Sequence, residues 1–214
     1  MANLQDLIVT LAGKIGMYPA ADGSQSLFRL GKTGDIITSQ AHGRLYEAAS
    51  RGKLFCNYAP AVAMSAPATA AIGNIVWNPP GSGVNLAIGN VQVQCIVTDT
   101  DALSVNMCYS VQSTVPTTTS ASVTYPLLLG AVGGSGGGQA KGYGIATISV
   151  AATPIYSLFH LTAAIATTGV DGLQYDFQGG LVVPPGYLIS LHSIAAAATS
   201  GVTSTICWEE IPII

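Results

Sequence analysis

From Leu54 onward the chain alternates between apolar and polar positions with a period of two. Val91-Gln92-Val93-Gln94-Cys95-Ile96-Val97 and Tyr187-Leu188-Ile189-Ser190-Leu191-His192 show it most clearly. A strand buried on one face requires that pattern, because successive side chains leave a strand on opposite sides. Similar runs, bounded by Gly, Pro, Asn or Asp, predict strands starting at Leu54-Phe55 and over 72–77, 84–97, 104–111, 122–129, 143–150, 155–161, 173–177, 187–193 and 203–208. No helical pattern of ten or more residues interrupts them. Strands without helical crossovers predict an antiparallel sandwich, and their number fits a jelly roll. An immunoglobulin-like sandwich is the lesser alternative, since there is no Cys-Trp-Cys framework.

The segment before residue 54 reads differently. Over 1–40 periodicity is weak and turn-formers are frequent (Gly13, Gly16, Pro19, Asp22-Gly23, Gly31, Gly34), which predicts an extended arm. Near 42–51 the pattern changes: Leu45, Ala48 and Ala49 share one helical face, and Glu47 precedes Arg51 by one turn. Gly52 follows in the position that ends helices in the left-handed conformation. The chain therefore divides into an arm with one short helix, 1–53, and a jelly-roll-like β-sandwich, 54–214. Asn78-Pro79-Pro80-Gly81 and Pro184-Pro185-Gly186 read as rigid turns, and the Gly-rich run 133–138 as a mobile surface loop.

Composition adds a second asymmetry. Charged residues make up 8% of the chain and apolar residues 49%. So few charges leave a lone monomer poorly solvated, which points to faces covered by other subunits. Residues 1–53 carry six basic and four acidic groups, whereas 54–214 carry Lys141 against six acids. Neither part has the clustered cations of a nucleic-acid binder. No apolar run has the length of a membrane span, and none at the start has the form of a secretion signal.

Candidate chemistry is sparse. Gly31-Lys32-Thr33 imitates the end of a phosphate-binding loop, but Ser26 stands where the motif needs its first glycine. No Gly-x-Ser-x-Gly elbow accompanies the histidines; His160 and His192 read as ordinary strand residues, and His42 falls in the arm. Asp99 and Asp101 read as a polar turn rather than a calcium site. Cys56, Cys95, Cys108 and Cys207 lack zinc-ligand spacing and read as buried free thiols, although Cys95 and Cys108 are placed to approach each other across a hairpin. The expectation is a non-enzymatic protein without cofactor or metal.

Three blocks carry a resemblance. Gly31-Lys32-Thr33-Gly34 followed by the run from Ala41 to Phe55, then Trp77-Asn78-Pro79 with Gly81-Ser82-Gly83-Val84-Asn85-Leu86, and finally Trp208-Glu209-Glu210-Ile211-Pro212, together resemble segments of virion structural proteins of tailed bacteriophages. They cover well under half of the chain. The resemblance implies a particle component, on the head or on the tail. Read with the charge asymmetry, it leads to an expectation of a capsid decoration (cement) protein on the virion surface, assembled in the host cytoplasm as a homotrimer. Its arm then grips the major capsid protein, through Arg29, Lys32, Arg44, Glu47, Arg51 and Lys53 as charged contacts and Leu45 and Tyr46 as apolar ones. Two other readings stay open: a tail or baseplate module binding host glycans, and a secreted β-sandwich enzyme or lectin.

Overall fold

A computed structural model describes residues 45–62, 64–95, 103–121, 124–128, 138–161, 172–193 and 201–213. It opens with a short helix, α1 (Tyr46–Ser50). Gly52 ends it at φ +64°, the Gly52 N–H donates to Ala49 O and the Lys53 N–H to Ala48 O, both at 2.9 Å. This pair of bonds satisfies carbonyls the last turn would otherwise leave unpaired, and the left-handed residue it needs is most easily glycine. The helix is shorter than 42–51; positions 42–44 lie outside the described residues.

All else is β. In chain order the strands are β1 (Leu54–Val62), β2 (Ala70–Asn78), β3 (Val84–Cys95), β4 (Leu103–Val111), β5 (Thr117–Ala121), β6 (Thr124–Pro126), β7 (Lys141–Thr147), β8 (Thr153–Leu161), β9 (Leu173–Val183), β10 (Tyr187–Ser193) and β11 (Val202–Pro212). They form a five-stranded sheet, β6-β1-β11-β3-β9, and a six-stranded sheet, β5-β7-β2-β10-β4-β8. Every pairing between them is antiparallel. The chain alternates between the sheets at most steps, so neighbours in a sheet are usually distant in sequence.

The sheets pack face to face over a core of Phe55, Val76, Leu86, Ile88, Val91, Val93, Val105, Met107, Leu158, Ile189, Leu191, Ile206 and Trp208. Those residues occupy the inward phase of the alternating strands. At one end Asn78 ties the sheets together: its Nδ2 donates to Val84 O (2.9 Å) and Val183 O (3.0 Å). The Gly186 N–H donates to Asn78 O, so the two Pro-Pro-Gly turns stand side by side.

The outer faces of the two sheets differ. A second apolar cluster covers the six-stranded one: Ile75, Trp77, Cys108, Tyr143 and Leu188, closed by Ile148 and Ala152 from the segment after β7. Trp77 Nε1 donates to Gln112 O (2.9 Å), and Gln112 Oε1 accepts from the Ser149 N–H and hydroxyl (2.8 Å each), holding the segments after β4 and β7 over that face. On the five-stranded sheet the outward positions Gln92, Gln94, Gln174, Thr203 and Thr205 are polar, and the site described below lies there.

Three elements differ from expectation. Of the predicted strand 122–129 only β6 (Thr124–Pro126) is formed, paired with β1, and the strand before it, β5, which was not expected, pairs with β7 in the other sheet. The Gly179-Gly180 pair does not end β9; Gln178 (φ 54°) and Gly179 (φ 80°) form a bulge, after which pairing with β3 resumes at Leu181. The Cys95–Cys108 approach is not formed: Cys95 is on β3 and Cys108 on β4, in opposite sheets and separate apolar clusters. β3 and β4 therefore do not form the hairpin that was expected.

Candidate functional site

Four adjacent strands of the five-stranded sheet are in direct register at Tyr58, Thr205, Gln92 and Gln174. Their inward neighbours Ala59, Ser204, Ile206, Val91 and Val93 are buried, so this row points out of the sheet. Thr203 and Gln94, also paired, form the next row. Together with Gly172 and Leu173 these residues line a groove of about 320 Å³. Gln92 Nε2 donates to Gln174 Oε1 (3.2 Å), and the Thr203 hydroxyl to Gln94 O (3.3 Å). The lining combines amides, hydroxyls and the phenol of Tyr58 with the apolar Val93 and Leu173, without a charged side chain. Such a surface can donate and accept hydrogen bonds in equal measure, yet it offers no partner to an ion.

One row away, Cys56 on β1 faces Cys207 on β11. Bonded and non-bonded pairs alternate along an antiparallel ladder. Because the Glu210 N–H donates to Lys53 O (2.8 Å), the 55/208 and 57/206 pairs are the bonded ones. The 56/207 and 58/205 pairs are therefore non-bonded, the arrangement in which facing side chains stand closest. Both thiols are partly exposed. A hydrogen bond from Cys207 lowers the Cys56 thiol to about 7 against the opposing effect of burial, while the same contact and burial push Cys207 up. By contrast Cys108, wholly buried, is pushed up to about 12 by desolvation. All four cysteines are free, as expected, but the expectation that all are buried gives way to one partly exposed facing pair and two core residues.

Ser190 and His192 are neighbours on the outer phase of β10, with His192 Nε2 at 2.9 Å from the Ser190 hydroxyl and Nδ1 at 3.3 Å from Ser65 O. The pairing imitates a nucleophile and its base, but both side chains are 0% exposed. Burial holds the His192 imidazole below its ordinary range, partly offset by backbone carbonyls of Ser65 and Ala66. Neither group is presented at the surface. His160, on β8, is exposed. Among the described residues no group of three or more His, Cys, Asp or Glu is placed to hold a metal ion, and no helix is long and apolar enough to cross a membrane.

Of the residues expected to meet a partner, Tyr46, Arg51 and Lys53 are exposed and Leu45 is half-buried. Arg29, Lys32 and Arg44, the side chain of Glu47, the aspartates 99 and 101 and most of the Gly-rich run lie outside the described residues. Reasoning from sequence missed the groove. The Val-Gln-Val-Gln alternation places Gln92 and Gln94 on one face, but which strands lie beside them depends on pairings between distant segments. Comparison of the chain with protein-family models, with curated proteins and with solved structures gives no match.

Proposed function

We propose that this chain is a structural, non-enzymatic component of a tailed-bacteriophage virion: a decoration protein on the capsid surface. In this reading its body is a jelly roll that associates with copies of itself, as a homotrimer, and its segment 1–53 contacts the major capsid protein. Setting β5–β7 aside as an insertion, the strand orders β1-β11-β3-β9 and β2-β10-β4-β8 support the jelly-roll assignment. The resemblance of the three sequence blocks supports the virion assignment.

The observation that carries self-association is β9. Among the described residues it is the open edge of its sheet, eleven residues long, and only Val183 is buried. Long open edges are pairing hazards that stable monomers blunt or cover. Here the edge displays Leu173 and Val182, and the facing edge β8 displays Ile155 and Tyr156. Tyr156 and Phe177 meet edge to face with ring centroids 5.3 Å apart, joining the two edges into one apolar flank. A second copy would cover backbone groups and apolar side chains together.

Light scattering on the full chain gives the mass of a trimer in this reading, and Ile155→Glu with Val182→Glu reduces it to that of one chain. Loss of residues 1–44 leaves α1 and the body intact, retains the trimer and abolishes sedimentation with purified capsids. A monomeric parent chain refutes the assembly, and a truncated chain that still coats capsids refutes the role of the arm.

A further inference from the structure

We propose that the groove on the five-stranded sheet is a binding site for a neutral oligosaccharide. Tyr58 supplies the stacking surface, and Gln92, Gln94, Gln174, Thr203 and Thr205 the hydrogen bonds. This assignment does not depend on where the protein sits in a particle.

The chemistry of the lining selects the ligand. An amide carries two N–H donors and a carbonyl acceptor, and a hydroxyl both donates and accepts. The bond between Gln92 and Gln174 uses one N–H of the first and one lone pair of the second, leaving most of their capacity for a ligand. A molecule rich in hydroxyl groups, each also donor and acceptor, matches that surface. An anion finds no cation in the lining and a cation no carboxylate. Across the face of the groove an extended peptide finds no main-chain pairing, because β11 and β3 are each paired on both sides and, among the described residues, only the β9 border is an edge. The phenol of Tyr58, 47% exposed, adds an apolar ring face, to which the C–H face of a sugar ring is complementary.

Shape and rigidity agree with this. At about 320 Å³ the groove is at the small end of ligand sites, which span about 300–1,000 Å³. Its polar groups stand on paired strands whose opposite faces lie in the core, so their spacing is set before a ligand arrives. Binding groups held on strands need less ordering than the same groups on loops. Gly172 borders the groove beside Gln94 and keeps that end open; a Cβ there would stand 3.6 Å from the Gln94 Cβ.

The test uses the full chain and a panel of neutral gluco-, galacto- and manno-oligosaccharides, tetra- to hexasaccharides, with oligogalacturonate as the charged comparison, read by titration calorimetry. At least one neutral member binds, and oligogalacturonate does not. Tyr58→Ala weakens binding by about tenfold and Tyr58→Trp retains it, since a stacked ring contributes roughly that factor. Gln92→Ala with Gln174→Ala abolishes detectable binding, while unchanged melting temperatures show that these outward positions do not hold the fold. No binding by any neutral member, preference for the charged oligosaccharide, or a Tyr58→Ala protein binding as well as the parent would each overturn the proposal.

Discussion

Asn57 of β1 and Asn74 of β2 are hydrogen-bonded to each other across the interior of the sandwich, Nδ2 of the first to Oδ1 of the second at 2.7 Å. Asn74 Nδ2 in turn donates to Asn57 O (3.0 Å) and Ser204 O (3.1 Å), so one side chain from the six-stranded sheet serves two strands of the other. Both asparagines are fully buried. Polar groups so placed fix the position of one sheet over the other, because a shift would leave them unpaired in an apolar interior. Asn74→Ala removes one acceptor and two donated bonds. Unfolding in urea then shows a loss of about 2–4 kcal/mol, the cost of stranding buried polar groups. A loss under about half a kcal/mol, the range of surface changes, would mean that the pair does not hold the sheets.

Gly142 of β7 is the complement to that pair. A Cβ on Gly142 would collide with the amide of Asn57, which the bonds to Asn74 and Ile75 O hold in place. Gly142→Ala therefore forces either the strand or the asparagine pair to move. It destabilises by about 1–3 kcal/mol, as overpacking of a filled interior does. Paired with Asn57→Ala, the same change loses most of its effect, so a double-mutant cycle by urea denaturation reads the coupling directly. Strict additivity of the two changes would refute the collision.

Thiol reactivity distinguishes the four cysteines. The thiolate is the reactive form, so Cys56, lowered to about 7 by Cys207, alkylates ahead of the others, and its rate rises through neutral pH. Cys207→Ala removes the donor facing it and moves that profile to higher pH. Cys108, raised to about 12 in the core, reacts only after denaturation. Mass spectrometry of iodoacetamide-treated protein at a series of pH values separates these positions. Equal labelling of Cys56 and Cys108 in the folded state would contradict the environments described.

Gly52 offers a local test. Its φ of +64° is strained for any residue with a Cβ, although nothing else stands within reach of that atom. Gly52→Ala thus lowers stability by about 1 kcal/mol through backbone conformation alone, measured as a shift in the urea midpoint. Gly52→Asn, a residue that tolerates this conformation better, recovers part of the loss.

Local features of the chain were legible in proportion to how local their causes are. The β10 limits, the Gly52 stop and the outward phase of Gln92 and Gln94 follow from short-range rules of periodicity and backbone sterics. The two sheets as a class followed from the same rules. What escaped depends on pairing between distant segments: β1 beside β11 creates both the Cys56/Cys207 pair and the Tyr58 end of the groove. No short-range signal reports such a register, which is set by which faces the whole fold buries. Gly179-Gly180 misled for a related reason, since a bulge within a strand and the end of a strand use the same residue types.

The buried imidazole of His192 makes stability depend on pH in a definite direction. Burial lowers its folded value below the ordinary 6.5, so the folded state stays neutral where the unfolded chain already binds a proton. Stability is then highest above the unfolded value. It declines as the pH falls through about 6.5, and stops declining from this source once the folded value is passed. The slope from one proton is at most about 1.4 kcal/mol per pH unit. Carboxylates contribute mainly below about pH 5, and the Cys56 thiol, lowered to about 7, contributes at the upper end, so the difference between parent and His192→Gln urea midpoints from about pH 7.5 to about pH 5.5 isolates the histidine. The parent chain loses stability over that interval, and His192→Gln, which can still donate to Ser65 O but does not titrate, loses distinctly less. Parallel curves for the two proteins would show that His192 is reached by solvent protons without cost, and that the contacts to Ser65 and Ser190 do not seal it in.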